Sequence, residues 1–221
     1  MKYLFLHVIY LSFVFSFGNQ GLLIPKSAFD IASSGTGIGY SNYSYGNPSS
    51  LSYQSNSFAI TSISWYQNVN GSSMYYKWGE KYHHIIDLNI LSSNDIELWY
   101  EIPNDEPIDH FDIHHLSLGI GLAREFSNFS IGLKSGISYN QLFLDESYGF
   151  NLDLGVSYQY TPALSFGLCI KQLGYDVYNG EHFRYPLLIG AGSTFDINYL
   201  KTKIYIDGIY HEEYSDEFTL K

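Results

Sequence analysis

The chain has 221 residues, the size of one domain, and a formal net charge of -11 from 22 acidic and 11 basic residues. That balance excludes a phosphate-neutralising surface, and so excludes nucleic acid as a partner; it also supplies no polybasic patch for anionic lipid. The single cysteine, Cys169, excludes an internal disulfide, so burial and hydrogen bonding have to hold the fold.

Aromatic residues make up 18% of the chain, with 22 Tyr, 15 Phe and 3 Trp, while charged residues are only 15%. Tyrosine suits positions with one apolar and one wet side, as at a membrane interface. The mean hydropathy of -0.10 resembles that of a soluble protein. A β-barrel reaches the same average by alternating polar and apolar residues, which hides its membrane face.

Residues 1–18 read as a secretory signal peptide. Lys2 forms the positive start, Tyr3 to Phe17 the apolar core, and Ser16 and Gly18 the small residues of a cleavage site before Asn19. That core is short for a spanning helix, and no other stretch approaches the necessary length, so any passage through a membrane has to use strands. Residues 19–56 lack regular alternation. They read as a plug: a short helix near Ser27 to Ser33, then an irregular segment ending in Asn47-Pro48-Ser49-Ser50-Leu51. Gly35-Thr36-Gly37-Ile38-Gly39 has no following Lys and no preceding strand. Its glycines serve tight backbone packing here rather than a phosphate loop.

From Ser57 to the end the period is two. Asp87 and Asn89 alternate with Ile86, Leu88 and Ile90; Leu116, Leu118, Ile120 and Leu122 oppose Ser117, Gly119, Gly121 and Ala123. Phe129, Ile131, Leu133, Ile137 and Tyr139 oppose Ser130, Gly132, Lys134, Gly136 and Ser138. The clearest strand, Asn151 to Tyr160, sets Leu152, Leu154, Val156, Tyr158 and Tyr160 against Asn151, Asp153, Gly155, Ser157 and Gln159. Leu164 to Lys171 repeats the pattern, and Ile204, Ile206 and Tyr210 alternate with Tyr205 and Asp207. Successive strand side chains point to opposite faces, so each run has one apolar face and one small or polar face. Ser127-Asn128 and Thr161-Pro162 read as tight turns, Asn140 to Tyr148 and Tyr175 to Tyr185 as longer loops, which is the rim asymmetry of a barrel.

About eleven such segments, most on the order of ten residues, give an all-β fold: an antiparallel outer-membrane β-barrel over residues 57–221 with the small N-terminal plug. Asp87, Asn89, Lys134, Asn151, Asp153, Gln159 and Lys171 are the candidate lumen-facing residues. Arginine at Leu154 is expected to be costly, and arginine at Ser157 cheap because it would enter a wet lumen. A soluble β-sandwich also alternates, but its outward face should carry Lys and Glu, which are scarce in these strands. An odd strand number, and a last run beginning near Glu217, read as an incomplete barrel with a gap between the strand near Ser57 and the strand near Tyr205.

The sequence has no catalytic constellation, so the reading is non-enzymatic, without cofactor or metal. No G-x-S-x-G elbow occurs. Neighbouring histidines, His83-His84 and His114-His115, point to opposite faces and cannot chelate together; His110, Asp112 and His114 share a parity but read as the edge of a surface loop. The acidic stretch Asn104 to Asp109 matches no calcium loop. Cys169 reads as a small residue of the polar face.

Two groups of motifs resemble the PorV/PorQ family of FadL-like outer-membrane barrels. Ala28-Phe29-Asp30-Ile31-Ala32, the glycine-rich stretch and Asn47-Pro48-Ser49-Ser50-Leu51 are similar to that family's opening, with Asn47, Pro48 and Leu51 as its plug motif. Phe129 to Lys134, Phe150 to Gly155, Leu164 to Leu168, Leu173-Gly174 and Tyr185-Pro186-Leu187 follow in the order of its middle strands. The family's common Arg-Ala-x-Gly-Met-Gly-Gly run is missing. The resemblance implies a barrel of about fourteen strands with a plug, residing in outer-membrane lipid. It further implies a role in type IX secretion or surface attachment, with secretion components and exported cargo as partners, or, as in other FadL-like barrels, passage of small hydrophobic compounds.

Overall fold

The structure, a computed structural model, describes residues 26, 36–39, 46–53, 55–64, 68–98, 107–211 and 218–220. The expected leader (1–18), the expected helix near Ser27 to Ser33, and residues 104–106 of the acidic stretch lie outside the described residues. The strands are β1 (Ser57–Ser64), β2 (Val69–Gly79), β3 (His83–Leu98), β4 (Asp109–Phe126), β5 (Phe129–Leu142) and β6 (Asp145–Thr161). They continue as β7 (Leu164–Tyr178), β8 (Glu181–Arg184), β9 (Leu188–Ile197), β10 (Thr202–His211) and β11 (Phe218–Leu220).

All eleven belong to one antiparallel sheet, in the order β1-β2-β3-β4-β5-β6-β7-β9-β10-β11, with β8 paired to β7 as a side hairpin. Apart from the β8 excursion, which β9 bypasses to pair with β7, each strand therefore pairs with its neighbour in sequence, as successive hairpins dictate. Among the described residues β1 bonds only β2 and β11 bonds only β10, so the sheet is open, with the expected gap between its ends. No helix is long and apolar enough to cross a membrane among the described residues.

The two rims differ. One is closed by short turns: residues 80–82, Ser127-Asn128, Pro162-Ala163 and residues 198–201. At the opposite rim β3 ends, β4 begins and the β8 excursion lies. Two expected loops are instead strand. Asn140 to Tyr148 forms a hairpin closed by Phe143-Leu144, with Phe143 at φ 58. Tyr175 to Tyr185 continues β7 into an Asn179-Gly180 turn, with φ 51 and 81, and returns as β8. Asn-Gly is the favoured pair for a turn needing positive φ at both positions.

Burial follows the alternation with an inverted sign. On β5, Ser130, Lys134, Ser138 and Asn140 are buried while Ile131, Leu133 and Ile137 are exposed. The same holds on β6, where Asp153 and Ser157 are buried and Leu154 and Tyr158 exposed. The exposed face is zoned. Phe126, Tyr158, Tyr160, Phe166 and Phe195 lie near the short-turn rim; Tyr148, Phe150, Tyr175 and Tyr210 lie near the other; Leu118, Ile120, Leu133, Leu154, Leu168 and Ile206 lie between.

Candidate functional site

The buried face holds the N-terminal segment. Residues 36–39 and 46–53 lie against it, with Pro48–Tyr53 forming a 3₁₀ turn packed on β3, β4, β5 and β6. Its anchor is Asn47, fully buried. The Asn47 amide nitrogen donates to the carbonyls of Ile38 (2.8 Å), Val156 (3.1 Å) and Leu168 (3.4 Å), while its oxygen accepts from the Ser49 amide (3.0 Å) and hydroxyl (2.8 Å). One side chain thereby fixes the segment's own turn and ties it to β6 and β7. Pro48 is compatible with the turn because its ring presets φ and its missing N–H is not required there.

The sheet accepts this backbone because its facing residues are small. A Cβ at Gly132 would overlap the Pro48 carbonyl, one at Gly155 the Asn47 side chain, and one at Gly167 the Ile38 carbonyl. Gly39 is equally constrained: a Cβ there would stand 2.7 Å from Ser193 Cα. Leu51 fills a small apolar pocket with Ile85 and Ala123, and Ile38 another with Cys169, Leu188 and Ile209. Asp207 on β10 accepts the amides of Gly37 (2.6 Å) and Ile38 (3.0 Å), so the segment bridges strands from β3 to β10. Asn47, Pro48 and Leu51, expected as a plug motif, are all buried in this seat. Ser157, expected to tolerate arginine, is 2% exposed and its hydroxyl donates to Tyr53 (3.3 Å), so arginine there would displace the turn rather than enter water.

Beyond the seat lies a charged layer. Lys134 pairs with Asp87 at 2.7 Å directly over Gly119, and the Asn89 amide donates to Asp87 (3.0 Å) and to Ser117 (3.3 Å). Asp153 accepts the Gln172 amide at 2.8 Å where the β6–β7 register shifts. Lys26, whose carbonyl accepts the Ser73 hydroxyl, brings a further cation; burial, and next Lys134, lower its pKa to about 8. Of the expected polar-face residues, the structure brings Asp87, Asn89, Lys134 and Asp153 together as buried groups. Asn151, Gln159 and Lys171 are half-buried on the same face.

Nearer the long-loop rim runs a third layer that sequence reading did not single out. His115 meets Asn140 at 2.5 Å, Asn140 donates to Ser147 (3.1 Å), and Ser147 donates to Asp176 (2.8 Å). Register pairing of His115 with Asn140 and of Asn140 with Ser147 puts these side chains side by side. Tyr185 reaches Ser138 at 3.1 Å over Gly149, and burial pushes its phenol up to about 12. Such chains of linked polar groups rigidify a wall, and Asp176 Oδ1 at the end of this one has no hydrogen-bond partner among the described residues. No group of three His, Cys, Asp or Glu side chains suited to a metal occurs among the described residues. The chain matches no family model and no curated protein.

Proposed function

We propose that the chain is a non-enzymatic outer-membrane β-barrel protein, PorV/PorQ-like, that assists type IX secretion or surface attachment of exported proteins. The observation carrying the membrane half of this reading is the inversion of the sheet, with aliphatic residues outside and Ser, Asn, Asp and Lys buried. The exposed face has the banding of a bilayer-spanning strand surface, an aliphatic zone between two aromatic girdles. Phe129 and Tyr139 flank the zone on β5, ten positions apart, the span of a tilted strand through hydrocarbon. An unpaired edge costs several kcal/mol per group in lipid, so in this reading β1 and β11 are covered by further strands or another chain.

The secretion half rests on the resemblance of the plug and strand motifs, supported by the docked Asn47-Pro48-Ser49-Ser50-Leu51 segment. A passage for small hydrophobic compounds, the FadL-like alternative, would need an apolar path; the buried face carries polar and charged side chains instead. A soluble sandwich would need a second sheet over the apolar face, and the described strands form only one.

Cell fractionation with detergent extraction tests the membrane half: the chain is expected in the outer-membrane fraction, and recovery from the soluble periplasm would overturn it. Deleting the gene tests the other half. Exported proteins should lose surface attachment, whereas unchanged attachment with impaired uptake of hydrophobic compounds would favour the transporter.

A further inference from the structure

Arg124 stands on the apolar face of β4. It shares the parity of Leu118, Ile120, Leu122 and Phe126, and its register partner on β5 is the exposed Ile131. A cation on such a face is costly in hydrocarbon unless its stem carries the charge to the interface. Here the guanidinium carbon lies 4.5 Å from the centroid of the Phe126 ring and 5.0 Å from that of the Tyr82 ring, and Nη1 donates to the Tyr82 hydroxyl at 3.0 Å. Tyr82 belongs to the turn between β2 and β3, and Phe126 is the last residue of β4, so both hold the charge at the short-turn rim and away from the aliphatic zone. A guanidinium has five N–H donors, and the Tyr82 bond uses one. Arg124 forms no ion pair among the described residues, and its neighbour Glu125 takes the opposite parity. The two rims also differ in charge. The short-turn rim carries Lys81, Arg124, Lys201 and Lys203 beside Glu80, Glu125 and Asp196; at the other, Arg184 is set against Asp95, Glu97, Asp109, Asp112, Asp145 and Glu146.

We propose that Arg124, held by Tyr82 and Phe126, is a binding site for the phosphodiester of a glycerophospholipid in the leaflet at the short-turn rim. The inference rests on the membrane reading of the apolar face. A planar guanidinium meets a phosphate through two parallel N–H···O bonds, which a point charge does not supply. The site is one oriented fork and not a polybasic patch, so it is compatible with a net charge of -11. Next in register to Arg124–Ile131, toward the aliphatic zone, is the exposed pair Leu122–Leu133. A lipid whose phosphate sits on Arg124 lays its acyl chains along that pair. The ligand therefore needs both parts: inorganic phosphate lacks the chains, and an uncharged glycolipid lacks the phosphate.

The test is titration of the full chain, extracted folded from membranes in a non-ionic detergent, with dihexanoylphosphatidylglycerol, read by 31P line broadening. Wild type should bind saturably, and far more tightly than it binds inorganic phosphate or an uncharged glycolipid of the same chain length. Arg124→Gln should weaken binding by about tenfold or more, as loss of a charged hydrogen bond implies. Arg124→Lys, which keeps the charge and loses the planar fork, should weaken it less. Lys201→Met removes an exposed charge from another turn of the same rim and should bind as wild type. Folding of each variant is read by resistance of the sheet to protease; if Arg124→Gln fails to fold, Arg124→Lys decides, and unchanged affinity there would overturn the site. Recovery of the chain from the soluble fraction would overturn the membrane reading and the site with it. A membrane-resident chain that binds the phospholipid equally as wild type and as Arg124→Gln, or no better than the glycolipid or inorganic phosphate, would overturn the site alone.

Discussion

On β5 the exposed Ile131, Leu133 and Ile137 stand back to back with the buried Ser130, Lys134 and Ser138, and in a water-soluble sheet these two sets would be exchanged. The outer set needs no specific partner, because any apolar surrounding satisfies it. The inner set is held by particular neighbours: Ser130 by Ser49 and Ser52, Lys134 by Asp87, Ser138 by Tyr185. The same backbone therefore carries a tolerant face and an exacting one. Substitutions on the tolerant face should fail through the chemistry of the surroundings, and those on the exacting face through lost partners or lost space.

The largest effect is expected where a buried ion pair is broken. Asp87→Ala removes the carboxylate 2.7 Å from Lys134 and should cost about 3–5 kcal/mol in urea unfolding of the folded chain; a cost below about 1 kcal/mol would mean that water reaches the pair. Next comes the outer face. Leu154→Arg should cost roughly 2–4 kcal/mol when unfolding is measured from a bilayer and far less in a soluble setting, so an equal cost in both would contradict lipid contact. Ser157→Arg should also be damaging, by about 1–3 kcal/mol, through overpacking beneath Tyr53. Unlike Leu154→Arg, its cost should fall when Tyr53 is truncated to alanine, a double-mutant cycle that separates the two faces.

Asn47→Ala removes the donor to three carbonyls and the acceptor for Ser49, at about 1–3 kcal/mol. Its effect should be local: limited proteolysis should cut residues 36–53 earlier while the strands stay protected. The smallest effect is expected at the aromatic girdle. Tyr139 and Tyr148 have ring centroids 5.2 Å apart, and Tyr139→Ala should cost about 0.5–1.5 kcal/mol beyond its lost area, in a cycle with Tyr148→Ala.

The strands were legible because side-chain alternation is a direct consequence of pleating, and the register could hardly slip without turning every leucine inward. Asp87, Lys134 and Asp153 were found on the polar parity for the same reason. What the pattern could not convey was depth. Ser157 and Gly155 looked like residues that leave space, yet the space is occupied by a segment about a hundred residues earlier in the chain, as the Asn47–Val156 bond makes plain. Parity gives the face of a side chain and not what lies over it. The hairpin at Asn179-Gly180 had a readable turn signal that the surrounding polar residues masked. The one at Phe143-Leu144 had none, because its positive φ falls on a phenylalanine. His115, Asn140, Ser147 and Asp176 lie on three different hairpins and meet only through strand register, which a single strand's pattern does not contain.

The clamp of Asp207 on the Gly37 and Ile38 amides joins residues separated by 170 and 169 positions. Contacts of such separation close late, since chain entropy opposes them until the intervening structure has formed. During folding the Gly37 and Ile38 amides therefore wait for Asp207 while hairpin after hairpin is added, and they are clamped only when β10 arrives. Seating of Gly37 and Ile38 becomes a readout that nearly all the strands are in place, and a chain stalled before β10 would display these two residues unclamped to whatever chaperone or protease surveys it.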